Sequence, residues 1–240
     1  MALVALDISR VESLRIVSFA VFCQFFVPLG AGAEMAKFFK LRGLAPERRM
    51  VANAAAIVVE HLLGLVALVM TAAVLFATLR PFAIKVSGLW LVSGAVVTVM
   101  AAAVVLFGRQ RGTGLGPQQL LTRLWAHKSH ALGAVWWSVI MHALLAAAVY
   151  VGSSAWALPL GYWQVLLVLS AAGVLQAVPA NLVGVGAADV AGAGLYVALG
   201  LPLSGALLLV SLSYSYRALL AVLGGLWELD KARRAVLNNR

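Results

Sequence analysis

The stretch that decides the fold is Val178-Pro-Ala-Asn-Leu-Val-Gly-Val-Gly-Ala-Ala-Asp-Val190, which lies between two apolar segments. Pro179, Gly184 and Gly186 interrupt a sequence that is otherwise apolar enough to lie in lipid. Backbone that leaves its helix at membrane depth survives only where protein or a water-filled cavity covers it. A break that also carries an acid, Asp189, is the best sequence indication of a transport site, although small residues also serve helix packing.

The composition is that of a polytopic membrane protein. Of the 240 residues, 63% are hydrophobic and 11% are charged, whereas soluble chains carry about a quarter charged residues. No polar stretch is long enough to fold separately, so residues 1–240 are expected to form one all-α integral membrane domain. The single cysteine, Cys23, excludes an internal disulfide and a cysteine metal site.

The net charge of +10 would suggest nucleic acid in a soluble protein, but here it indicates topology. Lys and Arg cluster between the apolar segments, as the positive-inside rule predicts, where they would contact anionic lipid head groups. No nucleic-acid partner is therefore expected. The basic loops place the chain in a bacterial-type inner or plasma membrane with its C-terminus in the cytoplasm.

About seven apolar segments are expected, and some of them are broken or re-entrant helices. They cover residues 13–29, 51–78, 86–107, 132–152, 161–180, 185–200 and 205–227. The expected helix breaks are Pro28, Gly30 and Gly32 in the first half and Pro179, Gly184 and Gly186 in the second. Counting crossings from the cytoplasmic C-terminus puts the N-terminus outside, which suggests that a further N-terminal span is missing.

Charged side chains within the apolar segments are the candidate site residues. Each costs about 2.5–3.5 kcal/mol in a membrane and so needs a partner or a function. They are Glu60 with His61, Asp189 and Arg217, together with Glu34 and Lys37 beside the first break. Arg217 lies too deep to reach the interface and is expected to pair with Asp189 or Glu60. A structural ion pair and a polar cavity for a lipid head group both remain open.

Other chemistry finds little support in the sequence. No Ser-His-Asp spacing, paired catalytic carboxylates or nucleotide motif is present, so no catalytic residue and no cofactor are predicted, and enzyme activity is disfavoured. His142 lies on an apolar helix and is expected to serve packing. No metal site is predicted, because His127 and His130 have no carboxylate or cysteine nearby.

Four short motifs resemble one known family. They are Gly32-Ala-Glu-Met-Ala-Lys37, Val59-Glu-His-Leu62, the stretch from Pro179 to Asp189, and Tyr216-Arg217. At these residues the chain resembles the lysylphosphatidylglycerol synthase transmembrane-region family of flippase-like membrane domains, over about residues 20–228. The chain departs from the family's pattern at four places: Lys37 and His61 stand where Arg is usual, Asp189 stands where Glu is usual, and Ala33 separates Gly32 from Glu34. The soluble synthase domain that some members carry is missing, so the resemblance does not imply synthase activity.

Two hypotheses follow. In the first, the bundle translocates a polar-headed phospholipid or lipid-linked intermediate between leaflets, with Arg217 and Lys37 attracting a phosphate and Glu34, Glu60 and Asp189 receiving a cationic part of the head group. In the second, the chain is a non-transporting accessory subunit of a membrane protein complex, or a homo-oligomer, whose polar residues lock the fold.

Overall fold

A computed structural model gives the fold of this chain as a bundle of helices. It describes residues 9–26, 32–44, 50–79, 122, 126, 128–177, 181–182 and 185–238. Seven helices lie in this part of the chain: α1 (Arg10–Phe26), α2 (Gly32–Leu44), α3 (Met50–Leu79), α4 (Lys128–Ser154), α5 (Tyr162–Val174), α6 (Ala187–Ala198) and α7 (Leu203–Asn238). The predicted all-α class is confirmed.

The first two helices form a hairpin that lies against α7. Arg15 near the start of α1 contacts Glu228 of α7 at 3.1 Å. Phe25 near the end of α1 packs against Tyr214 of α7 in a tilted arrangement, with ring centroids 4.9 Å apart. Helix α1 therefore runs antiparallel to α7. Helix α2 then turns back along α1, and Lys40 near its end pairs with the same Glu228. The start of α1 and the end of α2, which together form the open side of this hairpin, therefore lie at the same end of the bundle.

Two adjacent glycines let α1 approach α7 closely. A Cβ added at Gly224 would lie 2.7 Å from the carbonyl carbon of Ser18, and one added at Gly225 would lie 2.6 Å from the Phe22 ring. Side chains at these positions would hold the helices apart, since real Cβ contacts are essentially never shorter than 3.0 Å. Small residues at a helix crossing are typical of membrane bundles, where packing drives association.

The second hairpin is formed by α5 and α6. Helix α5 passes through a 3-10 turn at Leu175–Ala177, and two short antiparallel strands, β1 (Asn181–Leu182) and β2 (Val185–Gly186), precede α6. The open ends of this hairpin lie near the start of α7, since α6 ends at Ala198 and α7 begins at Leu203 after a short turn. The two hairpins thus lie against opposite ends of α7.

The two ends of the bundle differ in charge. We call the end that holds Arg15, Lys40 and Lys231 the basic end, and the end formed by residues 155–161 and 199–202, which carry no Lys or Arg, the neutral end. Helices α3 and α4 run from the basic to the neutral end, and α7 runs back. The first hairpin opens to the basic end and the second to the neutral end.

The main apolar core lies towards the neutral end and joins α3, α4, α5, α6 and α7. Its fully buried members include Val149 of α4, Val165 of α5, Tyr196 of α6 and Leu209 of α7. The first hairpin has a smaller core of its own around Ala20. The second hairpin is therefore packed within the large core, while the first is held by α3 and α7.

The structure confirms part of the expected set of spans. Among the described residues, three helical stretches have the length and apolar character to cross a membrane: Ile57–Leu79, Lys128–Ser154 and Leu203–Lys231. They correspond to the predicted segments 51–78, 132–152 and 205–227. The predicted segment 86–107, like the predicted breaks at Pro28, Gly30, Pro179 and Gly184, lies outside the described residues. Seven apolar segments are therefore not confirmed.

Two of the predicted apolar segments coincide with the first helices of the two hairpins. In place of 13–29 the structure has the 17-residue α1, and in place of 161–180 it has the 13-residue α5. Each is followed by a helix that returns to the end from which it came. Helix α1 begins beside the C-terminal part of α7, so these two parts of the described chain lie at the same end of the bundle, whereas the sequence predicted termini on opposite sides of the membrane.

Candidate functional site

The first charged pair joins the tip of the second hairpin to α7. Asp189 is the third residue of α6, and its Oδ2 accepts a hydrogen bond from the backbone N–H of Gly186 at 2.8 Å. Its Oδ1 accepts a hydrogen bond from Nη2 of Arg217. An acid in the first turn also interacts favourably with the positive end of the helix dipole. The helix start and the arginine therefore both provide hydrogen-bond donors to the Asp189 carboxylate.

The second group of charges joins α2 to α3. Glu34 lies in the first turn of α2, and its Oε1 is 3.6 Å from Nδ1 of His61. One turn further along α2, Lys37 donates a hydrogen bond to Glu60 at 2.9 Å. No partner of Lys37 was predicted from the sequence; in the structure its partner is the carboxylate of Glu60 on α3.

The two groups occupy equivalent places in the two hairpins. Glu34 is the third residue of α2 and Asp189 is the third residue of α6, so each acid opens the second helix of its hairpin. The cationic or titratable partner follows 27 residues later at His61 and 28 residues later at Arg217, in the long helix after each hairpin. Because the hairpins open to opposite ends, this arrangement is that of an inverted repeat.

Both groups lie away from the two ends of the bundle. At helical rise, Arg217 is about 16 Å along α7 from Glu228, and Glu34 is about 9 Å along α2 from Lys40, which pairs with that glutamate. The Asp189 side chain is 10% exposed and that of Arg217 27%. Glu34, Glu60 and His61 are more open, at 38%, 47% and 37%. Apart from Lys37, which is 15% exposed, the side chains that join α2 to α3 are therefore more accessible than the Asp189–Arg217 pair.

A third network, at the basic end, was not predicted. Arg15 contacts Glu12 at 2.8 Å and Glu228 at 3.1 Å, Lys40 also pairs with Glu228, and Lys231 lies 3.7 Å from Glu12. These contacts join α1, α2 and α7. The sequence signal was present, since Arg15 falls within the predicted first span and Glu228 directly follows the last. Side chains near segment ends were assigned to the interface, so their pairing was missed.

Three further sequence predictions concern the partner of Arg217, the role of His142 and a metal site. Arg217 pairs with Asp189, the first of its two predicted partners. The Nδ1 atom of His142 is 2.7 Å from the carbonyl oxygen of Ser138 on its own helix, which agrees with a packing role. Within the described part of the chain, no group of three or more His, Cys, Asp or Glu side chains is arranged to hold a metal ion.

Comparison with family models, with curated proteins and with solved structures finds no match to this chain. The resemblance to the lysylphosphatidylglycerol synthase transmembrane-region family therefore stays a prediction from four short motifs. The geometry of the two hairpins and their charged groups is independent of that resemblance. It provides the basis for a functional proposal.

Proposed function

We propose that this chain is a membrane transport protein that moves a polar-headed lipid, a phospholipid or a lipid-linked intermediate, between leaflets. One observation carries the proposal: two helical hairpins open to opposite ends, and each has an acid in the first turn of its second helix. Each acid faces a basic side chain on the following long helix. Transporters built from inverted repeats bind their substrates where such broken helices meet.

The depth of the charges supports this reading. Arg217 lies within the membrane-spanning stretch Leu203–Lys231, and Glu60 and His61 lie within Ile57–Leu79. An ionisable group at such depth costs about 2.5–3.5 kcal/mol, and in membrane proteins it usually faces a water-filled cavity or a charged partner. Since Glu60 keeps 47% of its side chain exposed, its environment in a membrane has to include water, a head group or a partner protein.

The mixture of charges suits a lipid head group. Arg217 provides a guanidinium that can hold phosphate oxygens in a bidentate manner, and Lys37 provides a second positive charge. Glu34, Glu60 and Asp189 can receive a cationic part of a head group. Each such group now has a protein partner, and a head group would exchange with these partners as it passes, which lowers the cost of its transfer through hydrocarbon.

The proposal also includes a location and an orientation. The basic end faces the cytoplasm by the positive-inside rule, so both ends of the described chain lie on that side of a bacterial-type inner or plasma membrane. The first hairpin would then be re-entrant from the cytoplasm and the second re-entrant from the opposite side. The substrate would meet charged side chains from both hairpins on its way across.

The test is leaflet-resolved transport by the purified protein. Reconstituted into vesicles of phosphatidylethanolamine and phosphatidylglycerol, the wild type should move fluorescent phosphatidylglycerol between leaflets, as measured by quenching with dithionite. Arg217→Ala and Asp189→Ala should each abolish transport while leaving membrane insertion intact. The matched control is Asp230→Ala with Arg234→Ala, an acid–arginine pair on the exposed end of the same helix. Retained transport in both site variants would refute the proposal.

Mass spectrometry of the lipids that copurify identifies the substrate class. In mild detergent, the wild type should retain one anionic or lipid-linked species that Arg217→Ala loses. Equal retention of bulk lipid by both proteins would count against a lipid site at Arg217.

One observation favours a second candidate function. Asp189, Arg217, Lys37 and Glu60 are already paired within the chain, as they would be in an accessory subunit whose ion pairs only lock helices together. That reading predicts stable copurification with a larger membrane complex and no transport by the isolated wild type. In that case Arg217→Ala and Asp189→Ala would lower the stability of the protein and would have no separate effect on transport.

A further inference from the structure

We propose that transport by this protein is coupled to protons, and that His61 with Glu34 forms the proton-carrying pair. This inference rests on the proposed function, because it names the driving ion for the same site. It starts from a chemical difference between the two equivalent acid–base pairs. Arg217 keeps its charge at every physiological pH, whereas histidine is the side chain that gains or loses a proton near neutrality.

The charge balance at the first hairpin changes with that proton. Among the described residues, Glu34 and Glu60 face one permanent cation, Lys37, and it donates a hydrogen bond to Glu60 at 2.9 Å. Within this part of the chain, a proton on His61 would therefore give Glu34 a cationic partner and balance the two carboxylates with two cations.

The distance between His61 and Glu34 and the exposure of both side chains are consistent with a proton on His61. Nδ1 of His61 faces Oε1 of Glu34 at 3.6 Å, which is beyond hydrogen-bond length but close enough for strong attraction between opposite charges. The side chains are 37% and 38% exposed, so a proton can arrive without unfolding the hairpin.

No other charged partner for His61 is found on the described helices that pack against α3. Helix α2 contributes Glu34 and Lys37. Helix α4 contributes His142, whose ring contacts the carbonyl of its own helix, and α5 contributes Tyr162, whose hydroxyl donates to the carbonyl oxygen of Ala143 at 3.1 Å. The proton therefore acts mainly on the contact between α2 and α3.

The proton on His61 would change the strength of the contact between α2 and α3. Protonation creates an ion pair that holds the first hairpin against α3, and deprotonation leaves an unpaired carboxylate that is stabilised by water or by a cationic substrate. Two arrangements of the hairpin with different proton occupancy are what coupling requires, since a ligand shifts an equilibrium only through different affinity for the two states.

The test uses the same vesicles with a pH gradient and fluorescent phosphatidylglycerol as the probe. A gradient should accelerate transport by the wild type, and a protonophore should remove the acceleration. His61→Arg, which keeps a cation beside Glu34 at every pH, should lose the response to the gradient. Glu34→Gln should lose it too and provides a second variant if His61→Arg does not fold. His142→Gln is the matched control and should respond as the wild type does.

The outcomes separate the inference from the function on which it rests. Wild-type transport that is equally fast with and without a gradient would overturn proton coupling and leave lipid transport intact. A normal gradient response in both His61→Arg and Glu34→Gln would overturn the assignment to this pair. Absence of any wild-type transport would reject the proposed function together with the inference.

Discussion

Substitution of Gly224 by alanine tests the contact on which the first hairpin depends. The added Cβ would lie 2.7 Å from the carbonyl carbon of Ser18, while ordinary contacts begin at 3.4 Å, so α1 must shift by at least about 0.7 Å. The obstacle is backbone and cannot rotate away. Overpacking of this kind costs about 1–3 kcal/mol.

The design includes a control that removes the effect of helix propensity. Gly-to-Ala in a helix gains about 1 kcal/mol by propensity alone, and a Cβ at Gly133 in α4 would meet nothing within 4 Å. Relative to Gly133→Ala, Gly224→Ala should therefore be less stable by the overpacking cost. For a chain of this size the melting temperature in detergent should be lower by roughly 2–12 °C. Equal melting temperatures of the two variants would refute the close crossing of α1 and α7.

Three further predictions concern single contacts. Glu228→Gln removes the carboxylate that Arg15 of α1 and Lys40 of α2 share, so the melting temperature in detergent should fall by an amount equivalent to about 1–3 kcal/mol; an unchanged value would show that the network is not formed. Tyr196→Phe removes a buried hydroxyl that has no hydrogen-bond partner in the described structure. It should therefore be neutral or stabilising in the same measurement, and a loss above about 1 kcal/mol would reveal a missing partner. Exchange of Asp189 and Arg217 for one another should restore only part of the stability lost in the single variants. The reason is that an arginine in the first turn of α6 opposes the helix dipole, and full recovery would contradict this role of the helix start.

The long helices could be predicted from the sequence because their signal is local. An apolar run of 28 residues at 51–78 is sufficient to propose a helix, and α3 spans Met50–Leu79. The pairing of Arg217 with Asp189 could also be predicted from the sequence. A permanent cation deep in an apolar segment needs an acid, and Asp189 was one of two named partners.

The first hairpin could not be predicted from length alone. An apolar segment of 17 residues at 13–29 is about the minimum that crosses a membrane. Whether it crosses or turns back depends on packing against Gly224, which lies about two hundred residues further along the chain. The same holds for Arg15, whose partner Glu228 is 213 residues away. Such contacts depend on tertiary structure, and no local pattern reveals them.

The central claim is that the two hairpins open to opposite ends of the bundle, and labelling of single cysteines tests it most directly. In a Cys23→Ser background, cysteines are placed at the exposed positions Ser9, Ser154 and Leu237 and treated with a membrane-impermeant maleimide from each side of oriented vesicles. The account predicts that the cysteines at 9 and 237 react from one side and the cysteine at 154 from the other. Reaction of the cysteines at 9 and 237 from opposite sides would contradict it.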